Sequence, residues 1–281
     1  MNIESAIKKA SFELKKKNIK TALLDSEILM SKVLKEDRSS IILNSERILS
    51  KQDYIYFRKL VSNRLRNKPV AYLIGKKSFW KYEFELNDNV LIPRPDTELI
   101  IEQVLKIYNK NENINFLEFG VGSGCIILSI LKERKFFFGK GLDLSKDCIK
   151  ICRKNAIRLK VKNRLKLYKS DIDNFSLGKY DLIISNPPYI KKLDLKKLDK
   201  DIINYEPKLA LDGGLDGLSK IRKIIKKSSE LVRLNGKLIL EIAHDQKIMV
   251  KNILRDHGFF INSVVKDLNK NDRCIISTKI D

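Results

Sequence analysis

The chain has 281 residues, 43% of them hydrophobic and 33% charged, with a formal net charge of +22, enough apolar content for one large domain or a small plus a medium one. No apolar run approaches about 18 residues and no charged-then-apolar leader ends in small residues, which argues against a membrane span or a signal peptide and for a cytoplasmic protein. The excess charge points toward nucleic acid or an acidic partner, but lysine is spread over nearly every segment, as a residue-usage bias produces, so nucleic-acid binding is allowed without being required.

Residues 1–75 read as a small helical unit. Ile3, Ala6, Ile7, Ala10 and Leu14 recur at helical spacing, and Ala22, Leu23, Leu24, Ile28, Leu29, Val33 and Leu34 do so after a break at Asn18. Ser50 caps a third long helix with Asp53 in its first turn. Nothing here forms a catalytic set, and a solvated lysine-rich bundle is the plain reading. Residues 76–98 form a structured linker. Alternation from Phe79 to Leu91 suggests a hairpin turning at Asn87-Asp88-Asn89. In Leu91-Ile92-Pro93-Arg94-Pro95-Asp96-Thr97-Glu98 the prolines forbid regular pairing, and Asp96 or Thr97 caps the next helix. That segment is a capped helix start, or else it holds Arg94 and Thr97 beside a cleft.

From residue 99 to 281 strands and helices alternate, the signature of a doubly wound α/β sheet. Asn115 to Phe119 is a strand, and Gly120-Val121-Gly122-Ser123-Gly124 turns it into a helix from Cys125 to Glu133, with glycines that let backbone approach a ligand and a helix end that offers free N–H groups. A second strand, Phe136 to Leu142, ends at Asp143, where a carboxylate suits a ribose diol. A third, Leu165 to Lys169, ends at Ser170-Asp171-Ile172, with Asp171 placed to accept from an adenine amino group and Ile172 to pack on its ring. The fourth, Asp181 to Ser185, must stop at Asn186-Pro187-Pro188-Tyr189, since neither proline donates to a ladder. Asn186 and the Pro187 carbonyl offer two acceptors for one planar –NH2 group, and Tyr189 a ring to cover it. By itself this tetrad is equally a turn. Leu218 to Leu234 reads as a helix, Gly236 to Ile242 as a strand and Gln246 to His257 as a helix; Phe260 to Lys266 and Cys274 to Thr278 pair across a polar loop that includes Asp272 and Arg273. Cys125, Cys148, Cys152 and Cys274 form no Cys-x-x-Cys pair, and His244 and His257 cannot complete a zinc set, so reduced thiols and no metal are expected.

The glycine loop is not a dinucleotide fingerprint, because Cys125 stands where Gly or Ala is needed. Preceded by Glu118, it has the form seen in adenosylmethionine-dependent methyltransferases. Together with the Ile92-to-Glu98 segment, Asp143, the tetrad, Tyr205-Glu206-Pro207, Gly214 to Leu218, and Glu241-Ile242 followed by Gln246, the chain closely resembles the bacterial peptide chain release factor glutamine methyltransferases over nearly its whole length. The resemblance implies a Rossmann-like class I methyltransferase sheet behind a helical substrate-docking domain, and a monomer. It implies S-adenosyl-L-methionine held by Gly120, Val121, Gly122, Ser123, Gly124, Asp143, Asp171, Ile172 and Asn186. The glutamine of a Gly-Gly-Gln loop in a class-one release factor would be held by Asn186, Pro187, Pro188, Tyr189 and Arg94, with Asn186, Pro187 and Tyr189 carrying catalysis. Three positions depart from the family: Glu118 for Asp, Val121 for Thr, and Ala243-His244 for Gly followed by an aromatic. An adenine N6 methyltransferase grips the same kind of amine after extruding the base. The enzymes that methylate a ribosomal-protein glutamine share the tetrad. A non-catalytic basic ribosome-associated adaptor is the remaining alternative.

Overall fold

A computed structural model describes residues 1–281, which divide into two units, Met1–Lys76 with Asp199–Tyr205, and Lys77–Leu198 with Glu206–Asp281. No helix is long and apolar enough to cross a membrane.

In the first unit the helices are α1 (Ile3–Lys16), α2 (Ala22–Leu34), α3 (Arg38–Leu43), α4 (Lys51–Leu65) and α5 (Val70–Ile74). Asn2, Asp37 and Ser50 accept from the backbone N–H of Ser5, Ser40 and Asp53, so side chains satisfy donors that a helix start leaves free. The apolar stripes meet in one core, with Ile3, Ile7, Ala10, Leu29, Met30, Phe57 and Val61 buried together. Inside the bundle Arg64 Nε donates to Asp25 Oδ2 at 2.7 Å, with both side chains nearly buried. After the long excursion through the second unit the chain returns as α9 (Lys200–Tyr205), whose Tyr205 hydroxyl donates to the Arg66 carbonyl.

The second unit opens on a two-stranded sheet, β1 (Lys76–Phe79) and β2 (Tyr82–Glu85). The turn is Trp80-Lys81, not Asn87-Asp88-Asn89. Trp80 takes a left-handed φ of 57°, which costs a non-glycine residue about 1–2 kcal/mol. Tertiary contacts offset it: the Trp80 backbone N–H donates to Glu98, and its indole N–H and the Tyr82 hydroxyl both reach Glu133. The Asn-rich stretch still turns, through the Asn87 side chain and carbonyl, but after the hairpin.

The remaining elements are α6 (Glu98–Ile107), β3 (Asn115–Phe119), α7 (Cys125–Glu133), β4 (Phe138–Asp143), α8 (Lys146–Arg158), β5 (Leu165–Lys169), β6 (Tyr180–Ser185), α10 (Ser219–Leu231), β7 (Val232–Glu241), α11 (Lys247–Asp256), β8 (Phe259–Lys266) and β9 (Asp272–Lys279). The seven-stranded sheet has the order β5-β4-β3-β6-β7-β9-β8, with β9 antiparallel to β7 and β8 and the other pairs parallel. Helices cover both faces, which is why β3 and β6 bury apolar side chains on successive residues, Phe116 and Leu117 in β3 and Leu182, Ile183 and Ile184 in β6. One face packs Phe116, Ile184 and Ile239 against Ile100, Ile101, Ile127 and Ile130. The other packs Leu117, Ile183, Leu238 and Ile275 against Ile221, Ile225, Val250 and Leu254. This is the class I methyltransferase arrangement.

Several boundaries differ from the sequence reading. Strand β4 begins at Phe138, not Phe136. Helix α10 stops at Leu231 and β7 begins at Val232; the β6–β7 register then shifts between Tyr180↔Val232 and Leu182↔Lys237, with Asn235 left-handed inside the irregularity. Asp272 and Arg273 belong to β9 and not to a loop, because Arg273 is drawn in by Asp267 and by the Ile242 carbonyl.

Candidate active site

Register levels the strand ends: Phe119 lies beside Leu142 on one side and Ser185 on the other, and Asp143 beside Lys169. The segments after β3, β4, β5 and β6 therefore open onto the same edge, at the point where strand order reverses. A cavity of about 380 Å³ sits there, lined by Gly120 to Ser123, Asp143, Asp171, Ile172, Asn186, Pro187, Pro188 and Arg94 among others. Gly124 and Tyr189, both expected at the site, do not line it.

The loop after β3 needs its glycines for backbone reasons. Gly120, Gly122 and Gly124 all have positive φ, and a Cβ on Gly124 would lie 2.6 Å from Cys152 Sγ. Gly120 and Val121 donate to the Leu142 carbonyl, and the Asn155 amide donates to the carbonyl of Ser123 at 2.9 Å. Glu118 passes beneath the loop and accepts from the Ile127 N–H at 2.9 Å, capping α7. Burial raises its pKa well above the usual carboxylate range, the Ile127 N–H opposes this, and Asp143 adds to it.

Asp143 accepts from Gly122 N–H at 3.0 Å and Ser145 N–H at 2.8 Å, one bond to each oxygen. Each oxygen keeps capacity for a further donor, which fits a vicinal diol. Burial raises its pKa, with the Gly122 and Ser145 N–H groups acting against it. Asp171 closes a local turn by accepting from Asp173 N–H, and half-buried Ile172 follows it. An anchored carboxylate, an apolar side chain, a glycine loop and a cavity in the usual size range for small ligands suit an adenosyl group.

At the end of β6, Ser185 donates to the Phe119 carbonyl, fixing the strand up to its last residue. Asn186 Nδ2 donates to Thr97 Oγ1 at 3.0 Å. Of the two readings open for Thr97, a helix cap or a place beside the cleft, the cavity position holds. Thr97 stands at the N-cap of α6 with no side-chain capping bond, because its hydroxyl serves Asn186 instead. Arg94 is ion-paired to the buried Glu206 carboxylate, which also accepts from Ile92 N–H. Tyr189 turns its hydroxyl onto Glu241 Oε1 at 3.1 Å, and burial beside that carboxyl raises its pKa. Glu241, at the end of β7, is 2% exposed. Burial pushes its carboxyl up to about 7, against the lowering effects of the Thr97 and Tyr189 hydroxyls and Arg273. Buried Gln246 bridges the carbonyls of Tyr189 and Gly217 and accepts from Ala243 N–H. His244 is exposed in the turn beside it, and nothing in the structure explains its departure from the family.

The supporting shell was the part the residues alone did not assign. Glu241 carried a signal, a lone acid closing the run Leu238-Ile239-Leu240, since a buried charge needs partners. Asn155, within a lysine-rich helix, carried none.

The chain is similar to known proteins along most of its length. A family model described as the PrmC N-terminal domain matches residues 5–75, and one described as the methyltransferase small domain matches residues 96–215. The chain is 34% identical over 271 residues to a release factor glutamine methyltransferase of Caulobacter vibrioides, covering 96% of this chain and 94% of that one. It is 33% identical to a bifunctional methyltransferase of Rickettsia conorii, matching along 100% of its own length and 58% of that protein's. Among solved structures, a methyltransferase from Pyrococcus furiosus overlays with a TM-score of 0.53 at 17% identity, covering 70% of this chain and 89% of that one, a likeness of fold alone.

Proposed function

The chain belongs to the release factor glutamine methyltransferase family, and on that premise we propose that its cavity takes S-adenosyl-L-methionine and the Gly-Gly-Gln glutamine of a class-one release factor, and methylates the side-chain nitrogen. The observation that carries this reading is the placement of Asn186, Pro187 and Pro188 on the wall of the same cavity as Asp143 and the glycine loop. Asp143, Asp171, Ile172 and the Gly120–Gly124 loop would hold the cofactor, which when bound supplies an electrophilic methyl group on a sulfonium.

An amide nitrogen is a poor nucleophile because its lone pair is delocalised, so the protein must act through orientation and electrostatics. Asn186 Oδ1, free of protein partners while Nδ2 holds Thr97, and the Pro187 carbonyl accept the two amide protons and aim the nitrogen. Arg94, fixed by Glu206, contributes positive charge at the cavity wall. No side chain of the tetrad is a base; the proton lost on methylation passes to water. Residues 1–75 are assigned to docking the release factor, and the reaction to a cytoplasmic monomer.

The test is mass spectrometry of a release factor incubated with the full chain and cofactor, with RNA and DNA in parallel. A gain of one methyl on the glutamine is expected. Methylation of adenine with none on the release factor would refute the proposal.

A further inference from the structure

Asn155 is fully buried in α8, a helix whose neighbouring residues Arg153, Lys154, Ile157 and Arg158 are exposed. Its side-chain amide makes three hydrogen bonds. Oδ1 accepts from the Glu85 N–H at 2.9 Å, and Nδ2 donates to the Glu85 carbonyl at 3.1 Å and to the Ser123 carbonyl at 2.9 Å. The partners fix its orientation, because a flipped amide would set Oδ1 against two carbonyls and –NH2 against an N–H. One side chain thus joins the last residue of β2 to the glycine loop.

The loop needs an anchor at that point. Its first half is held from β4, where Gly120 and Val121 donate to the Leu142 carbonyl and Gly122 donates to Asp143. Its second half is the Ser123–Gly124 peptide, and the residues on either side of Ser123, Gly122 and Gly124, have φ of 52° and 83°. Glycine takes such values as readily as negative ones, so local backbone energy leaves this peptide free to turn over. Gly124 N–H is held by the Val121 carbonyl at 2.7 Å, within the loop itself. Asn155 holds the other end of the same peptide from outside. Ser123 lines the cavity and Asn155 does not, so the carbonyl is drawn toward α8 and away from the space a ligand would take. Glu85, the other partner, leads in turn to Asn89, Leu91, Pro93 and Arg94 on the cavity wall. Exposed ion pairs of Lys154 with Glu85 and Arg158 with Glu83 also join α8 to β2, but pairs of that kind contribute little.

We propose that Asn155 is a positioning residue for the cofactor: it holds the Ser123–Gly124 peptide in its binding conformation and ties it to β2, which makes the hairpin a structural part of the cofactor site. The proposal rests on the reading above that the glycine loop holds S-adenosyl-L-methionine.

The first test uses the unaltered full chain. Coupling between two sites is reciprocal, so saturation with S-adenosyl-L-methionine should slow hydrogen exchange at the Glu85 N–H at least about fivefold more than at the amides of β8. Glu85 does not line the cavity, and β8 lies at the far edge of the sheet. Equal slowing at both overturns the proposal. The second test uses full-length variants. Asn155→Asp keeps an acceptor for the Glu85 N–H and turns oxygen toward the two carbonyls, while Asn155→Leu removes all three bonds at similar volume. Both should raise the calorimetric Kd for cofactor at least about tenfold, well below their melting temperatures, while KM for release factor at saturating cofactor stays within about threefold. A lowered Tm with an unchanged Kd marks Asn155 as packing and overturns the proposal. Lys154→Ala, which breaks an exposed ion pair between the same elements, should leave Kd unchanged; a loss equal to that of Asn155→Leu also overturns it, since any loosening of the hairpin would then suffice. Asp143→Ala separates the two claims. If it weakens cofactor binding and the Asn155 variants do not, the role of Asn155 falls alone; if it leaves Kd unchanged, the reading of the cavity as a nucleoside site falls.

Discussion

Replacing Glu241 by Gln should change how stability depends on pH, in a direction set by burial. Moving the carboxyl from 4.5 to about 7 makes its ionisation in the folded chain costlier by about 3 kcal/mol, at about 1.36 kcal/mol per pH unit. A group whose pKa is raised on folding contributes its full stabilisation below the unfolded value and loses it as pH rises through the folded one. The window is therefore pH 4.5 to about 7. The groups facing Glu241 are Thr97 and Asp96 before α6, Tyr189 after β6, Arg273 and Cys274 on β9, and Cys125 at the start of α7. Arg273 carries its charge across that window and the thiols, pushed up by burial, remain neutral in it. The amide introduced by Glu241→Gln does not titrate, and the raised Glu118 and Asp143 carboxyls are common to both proteins and cancel in the difference. Urea unfolding of both proteins at pH 5 and pH 8 should show the parent's advantage over Glu241→Gln shrinking by about 2–3 kcal/mol between them. Parallel stability profiles would refute the claim that this carboxyl ionises inside the protein. In the same pair of proteins, kcat should rise with pH through about 7 in the parent and lose that limb in Glu241→Gln.

Asp143→Ala should weaken cofactor binding at least a hundredfold by calorimetry, because it removes charge-assisted bonds worth about 1.5–3 kcal/mol each and releases the Gly122 N–H that shapes the loop. Unchanged affinity would place the nucleoside elsewhere. Gly124→Ala should lower Tm by several degrees, since it adds about 1–2 kcal/mol of left-handed strain to clashes with Cys152 Sγ at 2.6 Å and Leu128 Cδ1 at 2.8 Å; Gly124→Ala/Cys152→Ala should recover only the Cys152 part, and full recovery would show that neither the φ nor Leu128 carries a cost. Arg94→Ala leaves Glu206, whose side chain is 1% exposed, without its ion pair. Truncating one partner of a fully buried pair costs about 3–5 kcal/mol, and because Arg94 is 37% exposed the cost here should fall to about 1–2 kcal/mol. Adding Glu206→Gln should return most of it in the same melt.

The strands and helices whose apolar period matches their burial were legible before any coordinates: α1, α7, β3 and β5 have the residues that the pattern implied. The doubly wound class followed from their alternation, and residues of the site from the strand ends. What stayed hidden was decided by partners distant in sequence. Trp80 wins the hairpin turn from Asn87-Asp88-Asn89 because Glu98 and Glu133 reach it, and no local propensity encodes either contact. Of the two readings the sequence left for Thr97, a helix cap or a place beside the cleft with Arg94, the structure takes the second, but its bond to Asn186, 89 residues away, had no local signal. Asp272 and Arg273 look like loop residues until Asp267 and Ile242 come alongside. Tyr189 advertised an aromatic wall, and its hydroxyl faces inward to an acid at the end of another strand.

The strand order makes the site a late event in the life of the chain. β3 and β6 are neighbours at the centre of the sheet, yet Phe119 and Ser185, which meet at their ends, are 66 residues apart. Loop-closure entropy must be met before such long-range pairing returns anything, which slows folding of parallel sheets. As the polypeptide lengthens from its amino end, β3, β4 and β5 can assemble the glycine loop and Asp143. The buried carboxyl beside Tyr189 has to wait: Glu241 comes with β7, and β7 gains its second neighbour only when β9 inserts between it and β8. A nascent or proteolytically shortened chain that stops short of β9 therefore has the glycine loop and Asp143 but lacks the strand that pairs beside Glu241, so this half of the cavity wall is completed only with the last strands of the chain.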